Sequence, residues 1–320
     1  NKEFNLHFFK PRKDRCDVCE CNNLQDEKFA DHLNKKTAAK AERDADRQIN
    51  FAEKKIAVIC FDLQNVFCLP KTTYKKFFYK KKLQAYNMTA HCNYDKTAYC
   101  AIWHEALSGR SGNHIASAVF KILKAIAKAN PDIREIILWS DACVAQNKNK
   151  MMSLALIHFL KQNEQIHCIT QKFSEPGHGN IQEVDAVHSK IEKYVKYVDI
   201  YSPVSLLQQM KKIPKRSVRL QILQMSENDF FDFGSVAYKL NFRSIPYSKV
   251  VLLHYTKNCE IIRYRQKFSD IDTLVNLLQE TSSRRVNTKK YQKDHSVLGE
   301  IKIIRERPSE TVLKDKAVHI

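Results

Sequence analysis

From Lys55 onward the chain alternates between short, continuous apolar runs and longer segments with helical periodicity. KIAVICFD and REIILWSD are apolar almost throughout and each closes on an acid, the pattern of strands buried on both faces. AYCAIWHE and IHCITQKF read as further strands. In SGRSGNHIASAVFKILKAIAKAN, residues Ile115, Val119, Ile122, Leu123 and Ile126 fall on one helical face, with Ser111, Gly112 or Asn113 as the cap. NKNKMMSLALIHFLKQ and NIQEVDAVHSKIEKYVKYV are predicted helices, and the Lys-rich TTYKKFFYKKKLQAYN reads as a polar connection. A strand-rich opening followed by α/β alternation predicts an α/β fold, a mixed central sheet flanked by helices.

The flanks differ in character. FFKPRKDRCDVCECNN is a basic, cysteine-rich loop, and residues 26–55 are rich in Ala and charge without Gly or Pro, which favours helix. Apolar positions there are sparse, so this helix either projects or packs through one narrow stripe. Beyond residue 200, SVRLQILQM, KVVLLHYT and EIIRYRQKF predict strands, TKNC a hairpin turn, and SDIDTLVNLLQE a short helix. This organisation divides into a cysteine-rich segment and charged helix (1–54), a core (55–200), and a C-terminal α+β extension with a basic arm (201–320).

Composition narrows the class of partner. Among 320 residues, 54 Lys and Arg oppose 35 acids, a formal charge of +19 that favours a polyanion, with nucleic acid as the commonest choice. No apolar run approaches the roughly twenty residues a bilayer span needs, so no membrane partner is expected. The ten cysteines are scattered, several inside strand-like runs, which fits reduced thiols in an intracellular protein better than a disulfide framework. The chain starts at Asn1 and reads as a fragment of a longer protein.

Two of the predicted strands end in Asp62 and Asp141. Side by side in one sheet, these carboxylates would converge at a strand edge, and paired carboxylates are the usual anchors of hard divalent cations. In PGHGNIQEVDAVHSKIEK, the 100° step of a helix puts Val184, Val187, Ile191, Val195 and Val198 on a buried stripe. Asp185, His188 and Glu192 then share one border of that stripe, and Glu183 falls near the other. Asp185 is the preferred third acid, with Glu192 and then Glu183 behind it. Of six glycines, four sit in GRSG and PGHG just before helices, where tight turns or close backbone approach are needed.

The segments FDLQNVFCLP, YNMTAHCNYD, IWHEALSGRSGNHIAS, LWSDACVAQNKN and PGHGNIQEVDAVHSKIE, in this order, resemble a domain family found in transposon-derived proteins of insects and other animals. That family is similar in turn to ribonuclease H-like DDE/DDD transposases and integrases. The resemblance spans about residues 55–280 and implies a ribonuclease H-like fold with Asp62, Asp141 and Asp185 as catalytic metal ligands. It implies two Mg²⁺ or Mn²⁺ ions, DNA strand cleavage and transfer, a DNA partner with a homo-oligomer as a further expectation, and a nuclear location. His178, His188, Glu192, Gln146, Asn147 and Asn149 are candidates for secondary roles around this site. The family usually reads SDNCxGQN where this chain has SDACVAQN, so Ala142 and Ala145 depart from it. A domesticated DNA-binding protein without turnover, and an exonuclease or resolvase of the same fold, are the competing expectations.

Two further groups carry candidate chemistry. Cys16 and Cys19, in CxxC spacing, with Cys21 and His32 nearby, suggest a small zinc site. Basic runs suited to phosphate contacts comprise Lys75, Lys76, Lys80, Lys81 and Lys82; Lys148 and Lys150; Lys211 and Lys212; and Arg284 and Arg285.

Overall fold

The computed structural model describes residues 16–21, 27–49, 51–77, 79–178, 183–278 and 301–304. Three helices precede the sheet: α1 (Asp17–Cys21), α2 (Glu27–Arg47) and α3 (Phe51–Lys54). Then follow β1 (Ile56–Leu63), β2 (Phe67–Leu69), β3 (Leu83–Cys92), β4 (Thr97–His104), α4 (Gly112–Ala129), β5 (Glu135–Ser140), α5 (Lys150–Gln162), β6 (Cys168–Phe173) and α6 (Glu183–Val195). The remainder comprises α7 (Pro203–Lys211), β7 (Arg219–Gln224), α8 (Phe233–Ala237), β8 (Leu252–Thr256), β9 (Ile261–Arg265) and β10 (Thr273–Asn276).

The strands form one ten-stranded mixed sheet in the order β10-β9-β8-β6-β5-β1-β3-β4-β7, with β2 added beside β3. β1, β3 and β4 are antiparallel neighbours, whereas β5 and β6 run parallel to β1. The strands after residue 200 extend this same sheet: β7 joins β4 in parallel, and β8 joins β6 antiparallel.

Period-two alternation assigns the two faces. Ile59 and Phe61 of β1, with Met88 and Ala90 of β3, pack against α4 and α5 in the main core. The α4 stripe is the one its periodicity predicts: Ile115, Val119, Ile122, Leu123 and Ile126 are all buried, each worth roughly 1.5–3 kcal/mol. Ser111 is its N-cap, its amide donating to Nδ1 of His114. On the opposite face, Val187, Ile191 and Val195 of α6 and Leu206 and Met210 of α7 cover Ala85, Cys100 and Ile102.

The charged helix α2 packs on this second face instead of projecting, through a stripe of Phe29, His32, Ala39, Arg43 and Asp46. Asp46 accepts from Trp139 Nε1 at 2.8 Å and from Lys172 Nζ at 2.8 Å, while Glu42 takes the same lysine at 2.6 Å. The Arg43 guanidinium stands 5.2 Å from the Trp139 ring centroid. Buried charges must be paired, and these ion pairs account for a sparsely apolar helix lying on a sheet.

Two expectations are corrected. β3 runs through the tail of the segment read as a polar connection, because its inward polar groups satisfy one another: Asn87 Nδ2 donates to Gln64 Oε1 at 2.8 Å. The segment SDIDTLVNLLQE contains an edge strand, β10, paired antiparallel with β9, in place of a helix. Its apolar spacing imitates a helix, but Leu274 is exposed while Val275 and Leu277 are buried. No helix among the described residues is long and apolar enough to cross a membrane.

Candidate metal centre

The β1–β5 register places Asp62 beside Asp141. The register of this parallel pair ends with Cys60 opposite Trp139; Asp62 lies two residues on in β1 and Asp141 just past the end of β5, so both acids stand at the carboxyl end of the pair. Val58, Cys60 and Asp62 point to the face that α2 and α6 cover, and there α6 delivers Asp185 and His188. The donor atoms of Asp62, Asp185 and His188 all lie within 4.8 Å of one another. Asp62, Asn65, Asp185, His188, Ser189 and Glu192 line a cleft of about 260 Å³.

Electrostatics mark this as a place of crowded negative charge. Burial, reinforced by the charges of Asp141 and Asp185, pushes the Asp62 carboxyl up to about 7. Burial alone holds His188 down to about 4, so its imidazole is neutral at pH 7. His188 is 8% exposed and its Nε2 is buried without a hydrogen-bond partner among the described residues. An orphaned buried imidazole nitrogen costs free energy unless something occupies it. Two carboxylates and a neutral imidazole make a donor set that fits a divalent cation.

Asp141 stands outside this tight group of three. Asn147 Nδ2 donates to its Oδ1, as does the Cys143 amide at 3.3 Å. Asn147 therefore orients Asp141, whereas the Asn149 side chain caps α5 by accepting from the Met152 amide at 3.0 Å. The backbone carbonyl of Gln146 accepts from Asn149 Nδ2 at 3.1 Å, in the half-buried loop before α5. Glu192 forms the far wall, where Gln64 Nε2 lies 3.4 Å from its Oε1 and 3.4 Å from the His188 carbonyl. Gln64 and Asn87, which tie β1 and β3 to α6, were not singled out in the sequence. The only local signal is Gln64's place two residues after Asp62.

Glu183 belongs elsewhere. It accepts from Arg43 Nη2 at 2.7 Å, Arg47 Nε at 2.9 Å and the Cys60 thiol at 3.1 Å. Burial opposes its charge, but the Cys60 thiol, the helix backbone and Arg43 hold it down to about 2. Burial and the Glu183 charge in turn push Cys60 up to about 12. His178 is also corrected: it does not join Asp185. It faces Cys16, Cys19 and His32, with donor atoms of the four within 4.8 Å of one another. The side chain of Cys21, which ends α1, lies outside the described residues.

A family model described as a domain of unknown function (DUF7869) matches residues 80–245, just over half of the 320-residue chain. The chain belongs to this family. The DUF7869 region contains Asp141, Asp185, His188, Glu192 and His178, whereas Asp62, Cys16, Cys19 and His32 precede it. Comparisons with curated proteins and with solved structures returned no match.

The basic candidates divide by exposure. Lys75, Lys76, Lys80, Lys81, Lys211 and Lys212 are exposed and Lys82 is half-buried. Lys148 is corrected: it is 4% exposed, its Nζ stands 5.1 Å from the Phe173 centroid, and burial lowers it to about 8. A buried amine of this kind cannot serve as a surface phosphate contact. Lys150 lies over the Tyr238 ring. Arg284 and Arg285 lie outside the described residues.

Proposed function

We propose that this chain is a transposase-like, metal-dependent nuclease core that cleaves and joins DNA phosphodiester bonds on a ribonuclease H-like scaffold. The observation that carries the reading is the convergence of Asp62, Asp185 and His188, whose Nε2 has no partner among the described residues, with Asp141 just past the end of the neighbouring strand and close enough for its charge to act on Asp62. The order β4-β3-β1-β5-β6, with β5 and β6 parallel to β1, supports the scaffold. The +19 charge and the exposed lysines before β3 and after α7 support a DNA substrate.

Asp62 and Asp185 would hold the cation, and Asp141, just past the end of the adjacent strand, would offer a third carboxylate. Bound Mn²⁺ or Mg²⁺ supplies activation of the attacking hydroxyl and stabilisation of the leaving oxygen. The His188 nitrogen tilts the choice towards Mn²⁺, since Mg²⁺ demands oxygen donors. Asn147 keeps Asp141 aimed, and Gln64 fixes the turn of α6 that carries His188 and Glu192.

One observation favours a second reading, a DNA-binding protein without turnover. Asp141 lies outside the tight group and is already engaged by Asn147 and the Cys143 amide. Cleavage of labelled duplex DNA in Mn²⁺ separates the two. The nuclease reading expects cleavage by wild type, its loss in Asp185→Asn, and retained DNA binding in that variant. Binding without cleavage under any divalent metal favours the second reading. Absence of binding at low salt removes both. Release of mononucleotides from ends would indicate an exonuclease of the same fold.

A further inference from the structure

We infer that Cys16, Cys19, His32 and His178 bind one Zn²⁺ as a closed structural site, separate from the carboxylate cleft. Three distant parts of the chain supply these donors: the start of α1, the first turns of α2, and the loop between β6 and α6. Cys16 Sγ lies 3.4 Å from His32 Nε2, and Cys19 Sγ lies 3.5 Å from His32 Nε2 and 3.3 Å from His178 Nε2. The two Nε2 atoms face each other at 2.9 Å. Zn–S bonds of about 2.3 Å and Zn–N bonds of about 2.0–2.1 Å, set tetrahedrally, require donor separations of roughly 3.3–3.8 Å. The spacing is thus that of a coordination shell, drawn slightly tight between the imidazoles.

The chemistry of the donors selects the metal. Thiolates and imidazoles suit zinc, and a hard cation such as Mg²⁺ would reject them. Four protein donors leave no open position, which marks a structural ion. The outer shell agrees: His32 Nδ1 lies 3.3 Å from Glu175 Oε1, so a carboxylate fixes the ring and directs Nε2 inward. Cys16 is 8% and His32 9% exposed, while Cys19 and His178 are half-buried.

The loop is shaped for this approach. Gly177 adopts φ +76° immediately before His178, and a Cβ there would come within 3.0 Å of Cys16 Sγ. Only glycine takes that conformation at no cost and leaves room for the sulfur.

The ion staples α1 and α2 to the loop that leads into α6. His178 stands five residues before Glu183, the first residue of α6, and Arg43 of α2 grips Glu183. Two anchors therefore fix the amino end of the helix that carries Asp185 and His188. The zinc site acts on the cleft by positioning, and it stands whether or not the cleft performs catalysis.

The test is metal content and ligation in the full chain, purified without chelators after growth with zinc. Mass spectrometry of the metal should give one zinc per chain, and X-ray absorption should show two sulfur and two nitrogen neighbours. His178→Ala and Cys19→Ser should each weaken zinc at least tenfold in competition with a chromophoric chelator. Cys21→Ser should leave it unchanged. Zinc-free wild type, a three-sulfur shell, unaltered affinity in His178→Ala, or zinc loss in Cys21→Ser would each overturn the assignment. The absorption spectrum of wild type decides the matter even if the variants fail to fold, and none of these readouts involves DNA.

Discussion

Removing the charge at Asp62 should make the metal-free protein more stable. Burial and the neighbouring Asp141 and Asp185 charges raise its carboxyl from 3.8 to about 7. That displacement is equivalent to ~4 kcal/mol held against the folded state once the group ionises. The sign follows from linkage. Below pH ~4 the carboxyl is protonated in both states and contributes nothing. Between pH ~4 and ~7 the folded chain retains a proton that the unfolded chain releases, so stability falls by ~1.4 kcal/mol per pH unit, then levels off. Asp62→Asn cannot ionise and escapes this penalty. Urea unfolding in buffer freed of Mg²⁺ and Mn²⁺ by dialysis, without chelator so that the Cys/His cluster is undisturbed, is the assay. The variant should gain ~2–4 kcal/mol at pH 8 and no more than ~1.5 kcal/mol at pH 5. Added Mn²⁺ should stabilise wild type and leave the variant unmoved. A variant no more stable than wild type at pH 8, or a gain that does not shrink on acidification, refutes the reasoning.

Glu183→Gln should destabilise the fold by ~2–4 kcal/mol in thermal melts, because it leaves the buried Arg43 unpaired, while Mn²⁺ still stabilises the variant. Asp46→Asn should cost ~3 kcal/mol by weakening the hold on Lys172, read by chemical denaturation. Duplex DNA affinity should fall steeply between 50 and 200 mM salt. Charge reversal at both Lys80 and Lys81 should flatten the log–log salt slope by about one for each phosphate no longer neutralised, and an unchanged slope would remove that segment from the interface.

The sequence made some parts of this molecule legible and hid others for physical reasons. β1 and β5 were plain because strands buried on both faces must be apolar throughout, and their closing acids followed directly. The α6 border was equally plain: the 100° step separated Asp185 from Glu183, and the two acids do serve different partners, the cleft and Arg43. β3 was obscured because Asn87 and Thr89 are fully buried polar residues in a central strand, and their partners cannot be known before the fold. The edge strand β10 has one face exposed and one neighbour, so its apolar spacing carried little information. His178 was assigned to the nearer motif, since nothing local ties it to a histidine 146 residues away. Whether α2 projects or packs through a narrow stripe was left open by the sequence, because the charges that dock it face Lys172 and Glu183, both distant in sequence.

The interleaving of the sheet sets a timetable for the nascent chain. The outer edge of β4 is closed only when β7 arrives, pairing Thr97 with Arg219. At about 5–20 residues per second, the intervening stretch takes roughly 6–25 s to synthesise. During that interval β4 presents unpaired amides and carbonyls flanked by Tyr99, Cys100, Ile102 and Trp103, all buried in the finished protein. Such an edge is a template for pairing with another chain. Nascent chains halted before Arg219 should therefore aggregate once freed from the ribosome, and holding chaperones should be needed most in that window.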